Sequence, residues 1–467
     1  MNGIQQIPEV LALNSRDNLI RLPGEQDVPV TPRIRKLVDS QPFQRLRSIS
    51  QLGLVSLVYP GATHTRFEHS LGAYRMSLLF LNRLATNDRF VQQVSEKHAE
   101  LFFVAALLHD IGHWPYCHPF EDMGLAAIVD HESLARKRIV ESGIASIVDQ
   151  EFDFTTNELS DLLEGKVDTP VTSILKSMLS GPIDVDKMDY LYRDSLHAGV
   201  PYGMHYDRGR LIGSLCLNED GSALAIDKKG STAAELMVFA RYVMFSEVYW
   251  HHTVRATTAM LQRALFTLVD KVNIEDLYEM TDLPFQQHLL AAAKGTDAEA
   301  TIDGLFGPER RLYKRLAQFT LLENPELFQQ VSRRNYEWLL RCSSHLISGL
   351  NEKFDLAMLP NDLLIDAPPP GLEVQFNIDV RTGPINRQSS QSGQNETIHQ
   401  ASGYRAMSDL SPVVKTLAQE QFDNYVKRVR LYVNPSIDLQ AMPQGDELAG
   451  MLKIAIKATD DGGNATG

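Results

Sequence analysis

Apolar residues recur along most of this chain at the spacing of one face of a helix. Thr31 can cap a first helix and Pro32 suits its opening position, and Ile34, Leu37 and Val38 then fall on one side. The same periodicity predicts further helices, which span residues 43–52, 64–84, 101–108, 131–139, 186–194, 231–270 and 336–347. The chain is therefore predicted to be mainly α.

Two stretches before residue 350 depart from this helical spacing. Residues 4–30 alternate irregularly around three prolines and predict short strands or extended chain, and residues 223–229 predict a hairpin. Gly349 is placed to end the helix that begins at Tyr336. We expect one large helical core over residues 1–350.

The pattern changes beyond the proline-rich residues 367–371. Residues 374–378 and 426–433 alternate as strands, and residues 387–403 are rich in Ser, Gln and Asn, which predicts a mobile loop. The last residues, 460–467, predict a disordered tail. A smaller α+β region over residues 351–467 is the expectation.

Composition narrows the class of protein. The longest apolar run, from Leu101 to Leu108, is far shorter than the roughly 18 residues of a membrane span, and the N-terminus lacks a secretory signal. The net charge of −14 argues against broad nucleic-acid binding. The odd set Cys117, Cys216 and Cys342 argues against a disulfide framework or a zinc ribbon. We expect a cytoplasmic protein with no membrane segment.

A polar cluster follows the apolar run directly. His109, Asp110, His113 and His118 lie within ten residues, and Gly112 is predicted to end the helix there, so that neighbouring side chains can converge. Imidazole beside carboxylate suits a divalent first-row metal ion. The ordinary alternative is a buried His-Asp hydrogen bond in a helical core.

Two further polar residues extend this cluster. His69 lies in the first turns of the helix over residues 64–84, and Asp186 begins another helix that also carries Tyr190, Arg193 and Asp194. One helix can then hold a metal ligand and substrate contacts together. The simpler role for Asp186 is to cap the helix N-terminus.

Several segments in this order resemble the HD-domain phosphohydrolase superfamily. They are Gln51-Leu52-Gly53, Tyr59-Pro60-Gly61-Ala62, Arg66-Phe67-Glu68-His69-Ser70-Leu71-Gly72, His109-Asp110-Ile111-Gly112-His113 and Asp184-Val185-Asp186-Lys187-Met188-Asp189-Tyr190. They look like the deoxynucleoside triphosphate triphosphohydrolase, or dGTPase-like, branch over roughly residues 30–265. The resemblance implies a helical HD-domain core and an oligomer, either dimer or tetramer.

The resemblance also implies a metal-dependent reaction. His69, His109, Asp110 and Asp186 would ligate a divalent ion, with Mn, Fe, Zn and Mg all open. Water or hydroxide would attack the α-phosphorus of a deoxynucleoside triphosphate (dNTP), which releases the deoxynucleoside and inorganic triphosphate.

The family's proton-transfer residues map onto the same region. His131 looks like the donor to the departing 5′-oxygen, and His113 matches a second catalytic histidine whose role stays open. Glu121 stands where the family usually has aspartate. Asp122 is adjacent, so either carboxylate can be the partner of His131.

The resemblance assigns the substrate contacts by class. Four cations would meet the phosphates: Arg66, His118, Lys187 and Arg241. Five residues would surround the sugar: Gln51, Leu52, Tyr190, Asp194 and Tyr249, where a tyrosine can crowd the 2′-carbon and exclude ribonucleotides. Trp250 replaces a smaller polar residue of the family near the base, which leaves the preferred base open.

Three residues resemble positions that bind an activating guanine nucleotide in the vertebrate enzyme with a sterile-alpha-motif domain. They are Asp39, Gln44 and Arg47, and their simpler roles are helix capping for Asp39 and pairing with a carboxylate for Arg47. Two other functions stay open at this point. The site can serve a phosphomonoesterase or phosphodiesterase, or the chain can be a non-catalytic, nucleotide-sensing oligomer.

Overall fold

The computed structural model describes residues 2–24, 26–369, 378–383, 403–418, 424 and 426–463. Within these ranges the fold is mainly α with three small sheets, which confirms the predicted class. No helix of the described ranges is long and apolar enough to cross a bilayer.

The helices up to residue 200 form most of the helical core. In order they are α1 (Gly3–Gln6), α2 (Pro8–Ala12), α3 (Pro32–Val38), α4 (Gln41–Arg45), α5 (Arg66–Leu84), α6 (Asp88–Gln93), α7 (Glu96–Leu108), α8 (Cys117–Glu121), α9 (His131–Val140), α10 (Gly143–Glu151), α11 (Thr156–Leu163), α12 (Pro170–Ser180) and α13 (Val185–Ala198).

The later helices continue around this core and towards the C-terminus. They are α14 (Arg208–Gly213), α15 (Ser231–Met244), α16 (His252–Leu268), α17 (Ile274–Glu279), α18 (Asp282–Ala293), α19 (Glu299–Phe306), α20 (Pro325–Val331), α21 (Tyr336–Phe354), α22 (Met407–Leu410), α23 (Pro412–Ala418) and α24 (Gly445–Gly463). Short 3₁₀ turns span Leu46–Ser48, Gly53–Leu57, Lys228–Gly230 and Leu439–Ala441.

The strands form three separate sheets. β1 (Leu19–Leu22) and β2 (Gln26–Pro29) make an antiparallel hairpin. The second sheet has the order β3 (Leu215–Leu217), β4 (Leu224–Asp227), β7 (Asp379–Arg381) and β8 (Tyr404–Ala406), in which β4 and β7 are parallel. The third sheet places β9 (Val429–Val433) between β5 (Lys314–Phe319) and β6 (Leu363–Asp366), all antiparallel.

The apolar run that the sequence singled out lies at the centre of the fold. Residues Leu101 to Leu108 of α7 are at most 2% exposed, so this helix is buried on all sides rather than on one face. α5 packs against both α7 and α13. At the periphery, the Thr31 side chain accepts a hydrogen bond from Ile34 N and Pro32 opens α3, which confirms that predicted start.

Several predicted boundaries were wrong. Residues 4–30 contain α1 and α2 before the β1–β2 hairpin, and residues 43–52 hold only the end of α4 and a 3₁₀ turn. α21 runs through Gly349 and ends at Asp355, whose φ of 52° is left-handed. The helix predicted over 231–270 is interrupted by a π-helical turn, Phe245–Tyr249, and resumes at His252.

The C-terminal predictions fare unevenly. Residues 374–377, 387–402 and 464–467 lie outside the described residues, so the predicted loop and most of one strand do too. The tail prediction was wrong for residues 460–463, which complete α24, and Trp338 Nε1 of α21 donates a hydrogen bond to Asp460 Oδ1 at 2.8 Å. The domain boundary at residue 350 stays a prediction. The third sheet contains strands from both sides of it, because β5 pairs with β9.

Candidate active site

Three helices bring the predicted metal ligands together. His69 lies in the first turns of α5, His109 is the residue that ends α7, Asp110 follows it, and Asp186 lies in the first turn of α13. The helix thus ends before Gly112, and the prediction that Gly112 ends it was wrong. A Cβ on Gly112 would lie 2.0 Å from the carbonyl oxygen of His131, so this glycine allows α9 to pack closely.

The ligating atoms face one small space. His69 Nε2 lies 3.1 Å from His109 Nε2 and 3.0 Å from Asp186 Oδ1, and His109 Nε2 lies 3.6 Å from the same oxygen. Asp110 completes the set, with Oδ1 3.4 Å from His109 Nε2 and Oδ2 3.9 Å from His69 Nε2. Two imidazoles and two carboxylates therefore converge.

The opposite ring nitrogens hold both histidines in this orientation. His69 Nδ1 lies 2.9 Å from Asp189 Oδ2, and His109 Nδ1 lies 2.9 Å from the carbonyl oxygen of Ala106. When Nδ1 donates to such an acceptor, Nε2 presents its lone pair, which is the usual arrangement of metal-bound histidine. The residues present therefore fit a divalent ion.

The charges of the site favour a cation at this point. Burial disfavours the ionised carboxyl of Asp110, but the charges of His109, Arg66 and His69 hold its pKa far below the usual range. Burial likewise disfavours a charged His69, yet its hydrogen bonds to Asp186 and Asp189 raise its pKa to about 10. The carboxylates stabilise positive charge between them.

Asp186 is free for this role because another residue caps its helix. The side chain of Asp184 accepts a hydrogen bond from Lys187 N at 2.7 Å. It also forms an ion pair with Lys187 Nζ at 2.6 Å. Asp184 is the N-cap of α13 and is fully buried. The capping role considered for Asp186 was therefore wrong.

A buried network that the sequence did not reveal supports His69. Arg193 binds both oxygens of Asp189, at 2.8 and 2.7 Å, and reaches Glu68 Oε1 at 2.7 Å. His197 Nε2 lies 2.9 Å from the same oxygen of Glu68. These side chains fix the carboxylate that orients His69, so they are positioning residues. Glu68 and Asp189 lie in the family segments and Arg193 on the predicted helix, but nothing in the sequence assigned them to His69. The i, i+4 spacing of Asp189 and Arg193 is common on exposed helices.

Gly72 leaves the space for this network, which gives a first prediction. A Cβ at Gly72 would lie 2.0 Å from Asp189 Oδ1 and 2.2 Å from Arg193 Nη2. We expect Gly72→Ala to lower the free energy of unfolding by about 3 kcal/mol, because it overpacks the core and separates a buried ion pair. Thermal denaturation followed by circular dichroism measures this.

The matched control is Gly349→Ala, in the interior of α21. The atom nearest to a Cβ added at Gly349 would be Met451 Cε, at 3.6 Å, so alanine fits there. The substitution should stabilise the helix by up to about 1 kcal/mol. Equal midpoints for the two variants would contradict the role given to Gly72.

A second histidine group lies beside the ligands. The rings of His113 and His131 contact each other with their centroids 3.9 Å apart and their planes tilted by 40°, and His118 Nε2 lies 3.3 Å from His113 Nε2. His131 Nδ1 lies 3.0 and 3.1 Å from the two oxygens of Glu121. Glu121 rather than Asp122 is thus the carboxylate in contact with His131.

His113 is held rigidly and uncharged. It is 3% exposed, and Arg45 Nη1 donates to its carbonyl oxygen at 2.7 Å. Burial, followed by the charges of Arg66 and His131, lowers the pKa of His113 well below the usual value. Its Nδ1 lies 3.2 Å from Asp110 Oδ1 but without the geometry of a hydrogen bond.

Two cavities that share lining residues lie at this site. The first, of about 280 Å³, contains the metal ligands and the three histidines, and the second, of about 470 Å³, is lined by Leu52, Tyr249 and Trp250 among others. Gln51, Arg66 and His118 line both cavities, and Tyr190 lines the first.

Three other residues predicted to contact the substrate do not line these cavities: Asp194, Lys187 and Arg241. Asp194 accepts from the Tyr249 hydroxyl at 2.6 Å and lies 2.9 Å from His64 Nε2. Lys187 pairs with Asp184, and Arg241 is buried with its guanidinium 5.3 Å from the Phe245 ring. Neither Lys187 nor Arg241 lines the two cavities.

The residues predicted to bind an activating nucleotide lie away from both cavities. Asp39 is the exposed C-cap of α3, and Gln44 Nε2 donates to the carbonyl oxygen of Val38 at 2.7 Å. The guanidinium of Arg47 lies over the Phe67 ring, 4.2 Å from its centroid. This contact was not expected, because the sequence suggested that Arg47 pairs with a carboxylate.

Comparisons with known proteins match two family models to this chain. An HD domain model matches residues 66–193 and an HD associated region model matches residues 206–346. The chain is 37% identical over 269 residues to an uncharacterized protein of Methanocaldococcus jannaschii, covering 57% of this chain and 53% of the relative. It spans about half the length of the curated relatives it matches.

One relative with a named activity and one solved structure extend the comparison. The chain is 28% identical over 268 residues to the deoxynucleoside triphosphate triphosphohydrolase SAMHD1 homolog of Dictyostelium discoideum, which covers 55% of this chain and 50% of that protein. A hypothetical protein from Aquifex aeolicus has a crystal structure with a TM-score of 0.65 and 26% identity, over 91% of this chain and 98% of that one.

The matched HD domain spans the helices that carry all four predicted ligands. HD domains are metal-dependent phosphohydrolase domains, and the ligand cluster fits an ion, so the cofactor of this chain is a divalent metal. Its donor set leaves Mn, Fe, Zn and Mg open. The two family models together match more than half of the chain, which therefore belongs to the HD-domain phosphohydrolase superfamily.

Proposed function

We propose that this chain hydrolyses dNTPs to the deoxynucleoside and inorganic triphosphate. The observation that supports this best is the pair of neighbouring cavities that share three lining residues. One holds the metal ligands and histidines, and the other offers aromatic walls beside the shared residues Gln51 and Arg66. A phosphate group alone would need only the first cavity, whereas a nucleotide can place its phosphates in one and its base in the other.

Two buried polar atoms support a polar ligand at the junction. Among the described residues, Gln51 Oε1 and Arg66 Nε are buried without a hydrogen-bond partner. Such atoms are costly unless a ligand or water satisfies them. A sugar hydroxyl can donate to Gln51 and a phosphate oxygen can accept from Arg66.

The phosphates need cations inside an acidic protein. Arg66 already holds Asp110 Oδ2 at 2.9 Å and keeps its Nε free, and His118 is 56% exposed beside the ligands. Lys187 and Arg241 are proposed to meet the phosphates from behind Asp184 and Phe245. A bound triphosphate would then replace part of the internal pairing.

The sugar end offers a physical basis for selecting deoxyribose. The rings of Tyr190 and Tyr249 lie 6.5 Å apart, and the hydrogen bond to Asp194 fixes Tyr249. A fixed aromatic edge against the 2′-carbon leaves no room for a hydroxyl there. Asp194 and Gln51 are proposed to bind the 3′-hydroxyl, with Leu52 packing against the sugar.

The proposed reaction is attack of a water oxygen on the α-phosphorus and cleavage of the bond to the 5′-oxygen. A divalent ion, when bound, would supply Lewis-acid charge to a phosphate oxygen. His131 is proposed to donate a proton to the departing 5′-oxygen, and Glu121 holds His131 in place through Nδ1. Neutral, buried His113 packs against the His131 ring at a tilt of 40° and is proposed to limit its movement.

The test is to incubate the purified chain with each dNTP and its ribonucleotide counterpart in the presence of Mn²⁺, then separate the products by anion-exchange chromatography. We expect inorganic triphosphate and deoxynucleoside from dNTPs, with much slower turnover of ribonucleotides. Orthophosphate as the first product would favour a phosphomonoesterase instead. Absence of turnover with dNTP-dependent association would favour a nucleotide-sensing oligomer.

The proposed assembly is a homo-oligomer in the cytoplasm. Leu236 and Phe239 of α15 are 43% and 49% exposed, and Val413 of α23, which packs against α15, is 49% exposed. Clustered exposed apolar residues often mark protein contacts. An activating nucleotide at Asp39, Gln44 and Arg47 is part of the same proposal, and light scattering with and without nucleotide measures the assembly.

A further inference from the structure

Cys117 lies among the three histidines that surround the proposed reaction centre. A nitrogen of each of His113, His118 and His131 and the sulfur of Cys117 all lie within 4.8 Å of one another. This group is separate from the cluster of His69, His109 and Asp186 and differs from it in carrying a sulfur. Three imidazoles and one thiol are the ligand types of a tetrahedral zinc site.

The spacing of the nitrogens fits one shared ion. Two nitrogens bound to a tetrahedral zinc ion, each at about 2.05 Å, lie about 3.3 Å apart. His113 Nε2 and His118 Nε2 are 3.3 Å apart. The alternative is a hydrogen bond between the rings of His113 and His118. Such a bond would not involve the Cys117 sulfur.

Glu121 orients two of these rings from the far side. His131 Nδ1 lies 3.0 Å from Glu121 Oε1, and His118 Nδ1 lies 3.4 Å from Glu121 Oε2. A carboxylate behind a histidine is the common support of metal-bound imidazole, since it directs the other nitrogen to the ion. The chain thus repeats around Glu121 the arrangement that Asp189 provides for His69.

We infer that His113, Cys117, His118 and His131 form a second metal site, which selects a thiophilic ion such as Zn²⁺ and blocks hydrolysis when filled. Binding would form a bond from the metal to the sulfur and release the thiol proton to solvent. Harder ions such as Mg²⁺ gain little from sulfur and would not fill the site.

Blocking follows because the same nitrogens cannot bind a metal and transfer a proton. This consequence rests on the proposed function, whereas metal binding itself does not. At saturation with Zn²⁺, turnover by the Mn²⁺-loaded chain should fall by about 10²-fold, the usual contribution of acid–base groups. A chelator selective for Zn²⁺ should restore it.

The direct test uses Co²⁺ as a spectroscopic substitute for Zn²⁺. The metal-free full chain is titrated with Co²⁺, and the absorption band for charge transfer from thiolate to cobalt is recorded together with the number of ions bound. We expect the band in the wild-type chain and two ions per chain. Cys117→Ser should lose the band and bind one ion fewer.

The other two cysteines supply matched controls. Cys216 and Cys342 are also buried and unpaired, so Cys216→Ser and Cys342→Ser should both keep the band. A wild-type chain without the band would overturn the inference, whether or not the Cys117 variant folds, and so would a band that survives in Cys117→Ser. If the band appears but no dNTP is hydrolysed, the proposed function fails and the metal site stands.

Discussion

Replacing Asp110 by asparagine is expected to lower kcat for dNTP hydrolysis by about 10³-fold, equivalent to ~4 kcal/mol. The amide keeps the shape of the side chain but removes the negative charge that faces His69 and His109 and that pairs with Arg66 at 2.9 Å. The site then loses one of its two carboxylates. Steady-state rates and metal content by elemental analysis measure both consequences.

A surface carboxylate gives the control for this change. Asp161 on α11 pairs with Arg136 and is 41% exposed, so Asp161→Asn should keep both turnover and metal content. Circular dichroism of the two variants separates loss of metal from loss of fold. An Asp110→Asn chain that retains bound metal and full turnover would remove Asp110 from the ligand set.

Replacing Glu121 by glutamine is expected to lower kcat by about 10²- to 10³-fold with little change in KM. Hydrogen bonds from His118 and His131 outweigh burial and hold the pKa of Glu121 far below its usual range, so the group is an anion. Glutamine fills the same space but cannot stabilise a charged His131. Its effect therefore falls on the proton-transfer step and not on substrate binding.

Asp122→Asn is the matched comparison, because the sequence alone left both carboxylates open. Asp122 is exposed, whereas Glu121 Oε1 lies 3.0 Å from His131 Nδ1. We expect kcat for Asp122→Asn close to the wild-type value, with any change confined to KM. Equal losses of kcat in the two variants would contradict the role given to the contact between Glu121 and His131 in proton transfer.

The convergence of the four proposed ligands was predictable because each lies near the start or end of a helix with clear apolar spacing. His69, His109, Asp110 and Asp186 also stand in segments that resemble one family, and the structure brings them to one point. The positioning residues were not predictable in the same way. Asp189 and Arg193 have the spacing of an ordinary surface pair, and only the packing of α5 against α13 buries them.

The fold shows the same division between local and long-range causes. Capping by Thr31 depends on neighbours in sequence and was predicted correctly, whereas Gly112 depends on the approach of α9 and was not. The break between α15 and α16 at Trp250 interrupts a sequence with continuous helical periodicity. This break places Tyr249 and Trp250 at the second cavity, so tertiary packing rather than propensity shapes that wall.

The central claim is tested most directly by following one dNTP with phosphorus NMR in water enriched in oxygen-18. Attack on the α-phosphorus predicts inorganic triphosphate with the heavy oxygen on one terminal phosphorus, and a deoxynucleoside that carries none. Orthophosphate or pyrophosphate as the first product, or heavy oxygen in the deoxynucleoside, would contradict the proposed reaction.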